Sequence, residues 1–310
     1  MHARPRRIIF IVALLATMVT PLVLAAGAEA MTPLFADPTF QHTWGYTDMP
    51  TVTGQADRTL MWGSYPFTSA MMEPYKESPG GKRLVQYFDK ARMEITNPAA
   101  DKTSQWYVTN GLLAKEMVTG MMQLGNNTYL SAPPAQVNVA GDLDDPNGPT
   151  YASFNKVLGY KAIPSGWAVT QTINRAGAVG NNPNMRQYNV SALDVGAPTH
   201  HTVASVFWAF MNSSGPVWQW QSDQIVQNQR LFPNAYYATG YPLTEPYWTS
   251  VLLGGKQTDV LVQVFERRVM TYTPSNKAGW QVEAGNVGLQ YYTWRYTDLK
   301  QPKDVIGSKG

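Results

Sequence analysis

Leu84-Val85-Gln86-Tyr87-Phe88-Asp89-Lys90-Ala91-Arg92-Met93-Glu94-Ile95-Thr96 returns later in the chain as Leu261-Val262-Gln263-Val264-Phe265-Glu266-Arg267-Arg268-Val269-Met270-Thr271-Tyr272-Thr273, 177 residues on. The likeness extends both ways. Upstream, Tyr65-Pro66-Phe67-Thr68 matches Tyr241-Pro242-Leu243-Thr244 at an offset of 176; downstream, Trp106-Tyr107-Val108 with Gly111 matches Trp280-Gln281-Val282 with Gly285 at 174. Collinear blocks with small drifts in offset are the mark of an internal duplication.

Each copy carries the same local instructions. A Gly-x-Pro type turn opens it, at Gly63 to Pro66 and at Gly240 to Pro242, and an apolar strand follows. An acid–base pair, Asp89-Lys90 or Glu266-Arg267, stands where the chain should reverse. A second strand stops at Pro98 or Pro274, which cannot continue a hydrogen-bonded ladder. The Trp-x-Val block reads as a third short strand. In the first copy Leu113, Met117 and Met121 then recur at a helical spacing of four, with Asn110 as a cap and Gly120 or Gly125 as a stop. The second copy ends in Tyr291-Tyr292-Thr293-Trp294-Arg295-Tyr296, which suits either a strand or a helix end.

Between the copies the pattern changes. Ala168 to Val179 reads as a hairpin with Asn174-Arg175-Ala176-Gly177 at its tip. Val203, Val206, Phe207 and Phe210 keep a helical spacing that Asn212-Ser213-Ser214-Gly215-Pro216 ends. Val217-Trp218-Gln219-Trp220-Gln221 alternates like a strand with both tryptophans on one face. The expected architecture is a β-rich α+β chain with two pseudo-repeated small β/α modules, at 31–134 and 236–296, flanking an unrepeated middle segment at 135–235 and followed by a polar tail at 297–310.

Residues 1–30 carry a different message. Arg4, Arg6 and Arg7 precede an apolar run from Ile8 to Leu24, and Ala28-Glu29-Ala30 follows, the order of a secretory signal peptide cleaved near Ala30. The expected product is secreted or held at a bacterial cell surface, with no transmembrane segment remaining. Losing three arginines and one glutamate lowers the net charge from +3 to +1, which gives no basic face for nucleic acid. The complete absence of cysteine excludes disulfides, thiol catalysis and lipoprotein anchoring. With 12% aromatic residues and only 15% charged ones, the chain has the material for packed cores.

Chemistry-bearing residues are sparse. The adjacent pair His200 and His201, six residues after Asp194, is the best candidate for catalysis, with Ser191 or Ser205 as conceivable nucleophiles; no Gly-x-Ser-x-Gly elbow accompanies them. Asp142, Asp144, Asp145 and Asn147 cluster oxygen ligands suited to Ca²⁺, the only cofactor the sequence raises, although the spacing is not that of an EF-hand and a solvated Asx-rich turn is the simpler reading. Glu73, Glu94, Glu116, Glu245, Glu266 and Glu283 offer pairs for glycoside hydrolysis. Two of them head a repeated tripeptide, Glu73-Pro74-Tyr75 and Glu245-Pro246-Tyr247, and duplication of an acid points to structure rather than to one active site. Trp62, Tyr65, Trp106, Tyr241, Trp248 and Trp280, in and beside the copies, are candidate platforms for sugar rings, with core packing as the alternative use.

The run Gly240-Tyr241-Pro242-Leu243-Thr244-Glu245, then Gln263-Val264-Phe265-Glu266, then Trp280-Gln281-Val282 with Gly285, is similar to the LGFP repeat of bacterial cell-wall-associated proteins. Over most of residues 37–296 the chain also resembles secreted proteins of green non-sulfur bacteria that carry a Gln-Tyr-Phe-Asp/Glu-Lys/Arg segment after a Gly-x-Pro turn. These resemblances imply a place at the envelope and bring no catalytic residue. The expected function is therefore non-catalytic binding or decoration of the envelope, with cell-wall or extracellular polysaccharide as partner. A secreted hydrolase with its site at 190–210, or a surface-layer subunit, is the alternative.

Overall fold

The computed structural model describes residues 35–306; the leader and the cleavage site near Ala30 lie outside the described residues. The chain enters through a helix, α1 (Pro38–Val52), which the sequence pattern did not announce. Asp37 caps it by accepting from the Thr39 amide at 2.8 Å, and proline occupies its first turn, where no donor is needed. Its apolar positions form no regular stripe because the helix also buries a carboxylate: Asp48 accepts from the amides of Met61, Trp62 and Gly63.

Four antiparallel strands follow in sequence order: β1 (Met71–Pro74), β2 (Lys82–Phe88), β3 (Ala91–Ile95) and β4 (Thr109–Asn110). Asp89 and Lys90 make the β2–β3 reversal, as expected. The predicted helix is present as α2 (Leu113–Thr119), but it is shorter than the spacing implied. Gly120, in the left-handed conformation, ends it, so Met121 falls into a strand and is exposed, and Asn110 lies in β4 instead of capping. A two-stranded ribbon, β5 (Met121–Gln123) and β6 (Tyr129–Ser131), leads to α3 (Tyr151–Asn155), which has a Thr150–Ser153 capping box.

The middle segment supplies the hairpin expected at 168–179 as β7 (Gln171–Ile173) and β8 (Val179–Asn181). It then forms the small pair β9 (Ala192–Leu193) and β10 (Val203–Ala204), the helix α4 (Ser205–Met211), and the ribbon β11 (Ser214–Gln219) with β12 (Gln224–Arg230). Trp218 and Trp220 both approach His42 of α1, at ring separations of 6.4 and 4.2 Å. The last strands are β13 (Tyr247–Leu253), β14 (Lys256–Val264), β15 (Val269–Tyr272) and β16 (Val282–Ala284), followed by α5 (Val287–Thr293) and a π-type turn at Trp294–Asp298. These four strands are consecutive and antiparallel, and the hairpin β7–β8 extends their sheet through a parallel contact between β7 and β13, giving six strands. The middle segment is thus built into the second sheet.

Neighbouring residues on the strands face two different cores. Phe88, Trp248, Leu261 and Phe265 pack with Phe40, Trp44 and Phe207, whereas Tyr87, Tyr247, Val262 and Val264 pack with Leu113, Met117, Phe154, Val287 and Tyr291. The two sheets interlock through their helices. Lys115 N in α2 donates to Glu266 O at 3.0 Å, and Leu289 N in α5 donates to Asp89 O at 3.0 Å. Gly288 allows the second contact, because a Cβ there would sit 2.0 Å from Phe88 O. Finally, the tail adds to the free edge of β1: Met72 N donates to Asp304 O and Ile306 N donates to Ala70 O, each at 2.9 Å. Among the described residues no helix is long and apolar enough to cross a membrane.

Candidate functional site

The loop between β9 and β10 carries Asp194, His200 and His201, and it walls a cleft of about 440 Å³ together with the segment 162–165. The loop is held by its backbone. Asp194 N donates to Ser165 Oγ at 3.0 Å, and the Asp194 carboxylate accepts from Gly196 N at 3.0 Å. A tight turn, with His200 N donating to Ala197 O, puts His200 in the left-handed region at φ 59°. That turn sends the two histidines to different places: His200 lines the cleft, while His201 is directed inward.

His201 Nδ1 and Glu245 Oε1 are hydrogen-bonded at 3.0 Å. Glu245 is fully buried and also accepts from Ile163 N and Thr202 N, at 3.0 Å each, and from the Thr202 hydroxyl. Ile163 and Thr202 line the cleft, so this carboxylate underlies its floor and ties three chain segments together. His201 is spent on that structural bond. Among the described residues Asp194 makes no hydrogen bond or ion pair with either histidine, and Ser205 Oγ accepts from Ser191 N at 3.1 Å, pinning β10 to β9. The sequence-level triad is therefore dispersed into separate structural roles.

The glutamate pairs meet a similar fate. Glu73, Glu94 and Glu116 are buried in one ionic cluster with Arg83, Arg92 and Arg295. Arg92 Nη1 lies 3.0 Å from Glu73 Oε2 and Arg92 Nη2 2.6 Å from Glu94 Oε1. Tyr87 and Tyr296 donate to Glu73 Oε1 at 2.6 and 2.7 Å, and the Tyr291 hydroxyl donates to Glu116. Burial alone would raise the Glu73 pKa; Arg295, Arg92 and Arg83 outweigh it and hold the carboxyl down at about 2. Glu116 goes the other way, raised by burial.

The loop proposed for Ca²⁺ already has its oxygens engaged. Asp142 accepts from the amides of Gly254 and Gly255, and Asp145 from those of Leu252 and Asn147. Arg175 Nη1 donates to the carbonyls of Asp145 and Gly148, and Asn138 Nδ2 to those of Asp142 and Asp145. Asp144 and Asn147 are exposed. Among the described residues no group of three or more His, Asp or Glu side chains could hold a metal.

The aromatic candidates divide. Trp62 and Trp248 are core residues, not platforms: Trp62 Nε1 donates to Thr47 Oγ1 beneath the buried Arg268 guanidinium, and Trp248 Nε1 donates to Val169 O. Trp280 is half-buried and donates to Asp57 at 2.7 Å. Tyr65, Trp106 and Tyr241 are exposed, each leaning on one inner ring, namely Trp44, Tyr237 and Tyr236. Of these, Tyr241 belongs to a row. Its ring is 4.8 Å from that of Tyr236, which lies 5.8 Å from Trp208 of α4. Burial, then Tyr241, then the Asp194 charge raise the Tyr236 pKa, although none of the three rings lines the Asp194 cleft itself. Trp208, Tyr236 and the strongly exposed Trp167, two residues past Ser165, were not singled out by sequence. Trp167 is revealed only by its exposure, and Trp208 and Tyr236 only by their mutual packing at the edge of the core.

The cleft thus offers a carboxylate, an imidazole and hydroxyls, and the half-exposed rings form a separate row whose Tyr236 feels the Asp194 charge. Comparison of the chain with protein-family models, with curated proteins and with solved structures finds no match.

Proposed function

We propose that this is an exported, non-catalytic protein of the cell envelope that binds glycan at the Asp194 cleft. The observations that carry the reading are the row Trp208–Tyr236–Tyr241, where the Asp194 charge is felt at Tyr236, and the cleft lined by Asp194, His200 and Ser165. Sugar rings bind through an apolar C–H face and a rim of hydroxyls, each both donor and acceptor. Aromatic rings meet the first need and a mixed polar cleft the second. The absence of a nucleophile–base hydrogen bond among the described residues of this cleft supports binding over hydrolysis.

The scaffold of this reading is a duplicated module, residues 60–120 and 236–296. Several equivalences support the duplication. Pro66 bridges Phe88 as Pro242 bridges Phe265. Gln86 Nε2 donates to Thr68 O, and Gln263 Nε2 to Thr244 O. Lys90 N donates to Trp62 O, and Arg267 N to Thr239 O; Gly111 N donates to Arg92 O, and Gly285 N to Val269 O. The glycines opening the two copies, Gly63 and Gly240, both have positive φ and lie against the acid of the reversal, Asp89 or Glu266.

The test is retention of the purified chain on cell-wall and polysaccharide fractions. Tyr241→Ala and Asp194→Asn are expected to weaken retention about tenfold each, with melting temperature unchanged. No retention of the parent chain on any fraction, or retention insensitive to both changes, would sink the proposal. Release of reducing ends would transfer the cleft to the hydrolase reading.

A further inference from the structure

On another part of the molecule a cavity of about 540 Å³ opens where α5 meets the β2–β3 reversal. Its walls include Val139, Leu143, Leu253 and Val260, and Leu143 is 68% exposed at the mouth. Two opposite charges share this space. Lys90 projects from the reversal, and its ammonium donates to Ala284 O at 2.5 Å and to Asn286 Oδ1 at 3.2 Å, which leaves one of its three N–H groups uncommitted. Glu283 stands on β16; one carboxylate oxygen accepts from Asn276 at 3.3 Å and the other accepts no hydrogen bond.

Lys90 and Glu283 do not pair with each other, since no ion pair within 4.0 Å joins them among the described residues, although the Glu283 charge is felt at Lys90. An unpaired ammonium and carboxylate held apart in a cavity with aliphatic walls form a two-point receptor of defined polarity. In the other copy Arg267, at the position of Lys90, is instead directed to a backbone carbonyl: Arg267 Nη1 and Asn110 Nδ2 both donate to Tyr237 O.

We infer that this cavity binds a small zwitterion of the α-amino-acid type with an aliphatic side chain, its carboxylate on Lys90, its ammonium on Glu283 and its side chain against Val139, Leu253 and Val260. Two charge-assisted contacts set the polarity of the ligand, and the aliphatic walls select against polar side chains. The site is independent of the Asp194 cleft in residues and ligand, so either can fail alone.

Calorimetric titration of the full chain with leucine, N-acetyl-leucine and leucinamide tests it. Leucine is expected to bind saturably, and blocking either end is expected to weaken binding at least about tenfold. In Glu283→Gln the affinity for leucine should fall about tenfold while N-acetyl-leucine is unaffected, with the melting temperature of the variant reporting that the fold is intact. Absence of saturable leucine binding, equal binding of the blocked compounds, or an unchanged leucine affinity in a folded Glu283→Gln would each overturn the inference.

Discussion

Glu73 and Glu245 each precede a Pro-Tyr pair, and both are buried, at 1% and 0% exposure, yet they are stabilised by opposite means. Glu73 meets guanidinium groups from both halves of the chain, Arg92 at 3.0 Å and Arg295 at 3.4 Å. Glu245 meets two backbone amides, a hydroxyl and one imidazole, and among the described residues no arginine or lysine pairs with it within 4.0 Å. The first carboxylate ties β1 to β3 of its own sheet and to the helical turn at 294–298 by charge. The second fastens the middle segment by dipoles, because the loop at 201–202 and the amide of Ile163 both close on it. The same tripeptide thus serves different neighbours, and the neighbours decide what the acid does.

That contrast predicts unequal responses. Arg92→Met should have the largest effect, destabilising the chain by about 3–5 kcal/mol, because it strands Glu73 and Glu94 without their shared cation. Urea denaturation measures this, and a loss below about 1 kcal/mol would show that the cluster is not an interdependent network. Acid should come next. Folding depresses the Glu73 pKa from 4.5 to about 2, so the unfolded chain holds that proton more tightly. The stability Glu73 contributes is complete above pH 4.5 and drains away as pH falls toward 2. A melting temperature flat between pH 5 and about 2 would contradict this assignment. Glu245→Gln should cost least, about 1–3 kcal/mol, since the new amide turns a donor toward donors that have lost their acceptor. Because these bonds hold the floor of the cleft, that variant should also lose polysaccharide retention while the Arg92-centred cluster stays intact. Retention unchanged in a destabilised variant would separate floor from function.

Much of the β framework was legible because it is local. A reversal at Asp89-Lys90, a turn at Gly240 and a hairpin tip at 174–177 are fixed by residues within a few positions of one another. Helix α1 was not legible: its partner for Asp48 is the amide row at 61–63, and its Gly45 lies against the Trp218 ring, a contact that no local pattern encodes. The site was half legible for the same reason. Trp248 enters a core because β13 lies between β14 and β7, and only the parallel pairing with the distant hairpin makes that strand internal. Tyr241 stays outside because it occupies a Gly-Tyr-Pro turn. Nothing in the spacing of His200 and His201 announces that one faces a cleft and the other a buried acid; the left-handed turn at His200 decides it.

The crossed contacts of the two helices have a consequence for how the chain reaches this state. Lys115 waits for Glu266, and Asp89 for Leu289, so neither sheet can close its core with its own residues. A nascent chain that has emerged only as far as the middle segment has α1 and α2 but lacks α5, whose Val287 and Tyr291 complete the core around Tyr87. Its rate-limiting event should then be a long-range encounter late in synthesis, with the slow kinetics that high contact order brings.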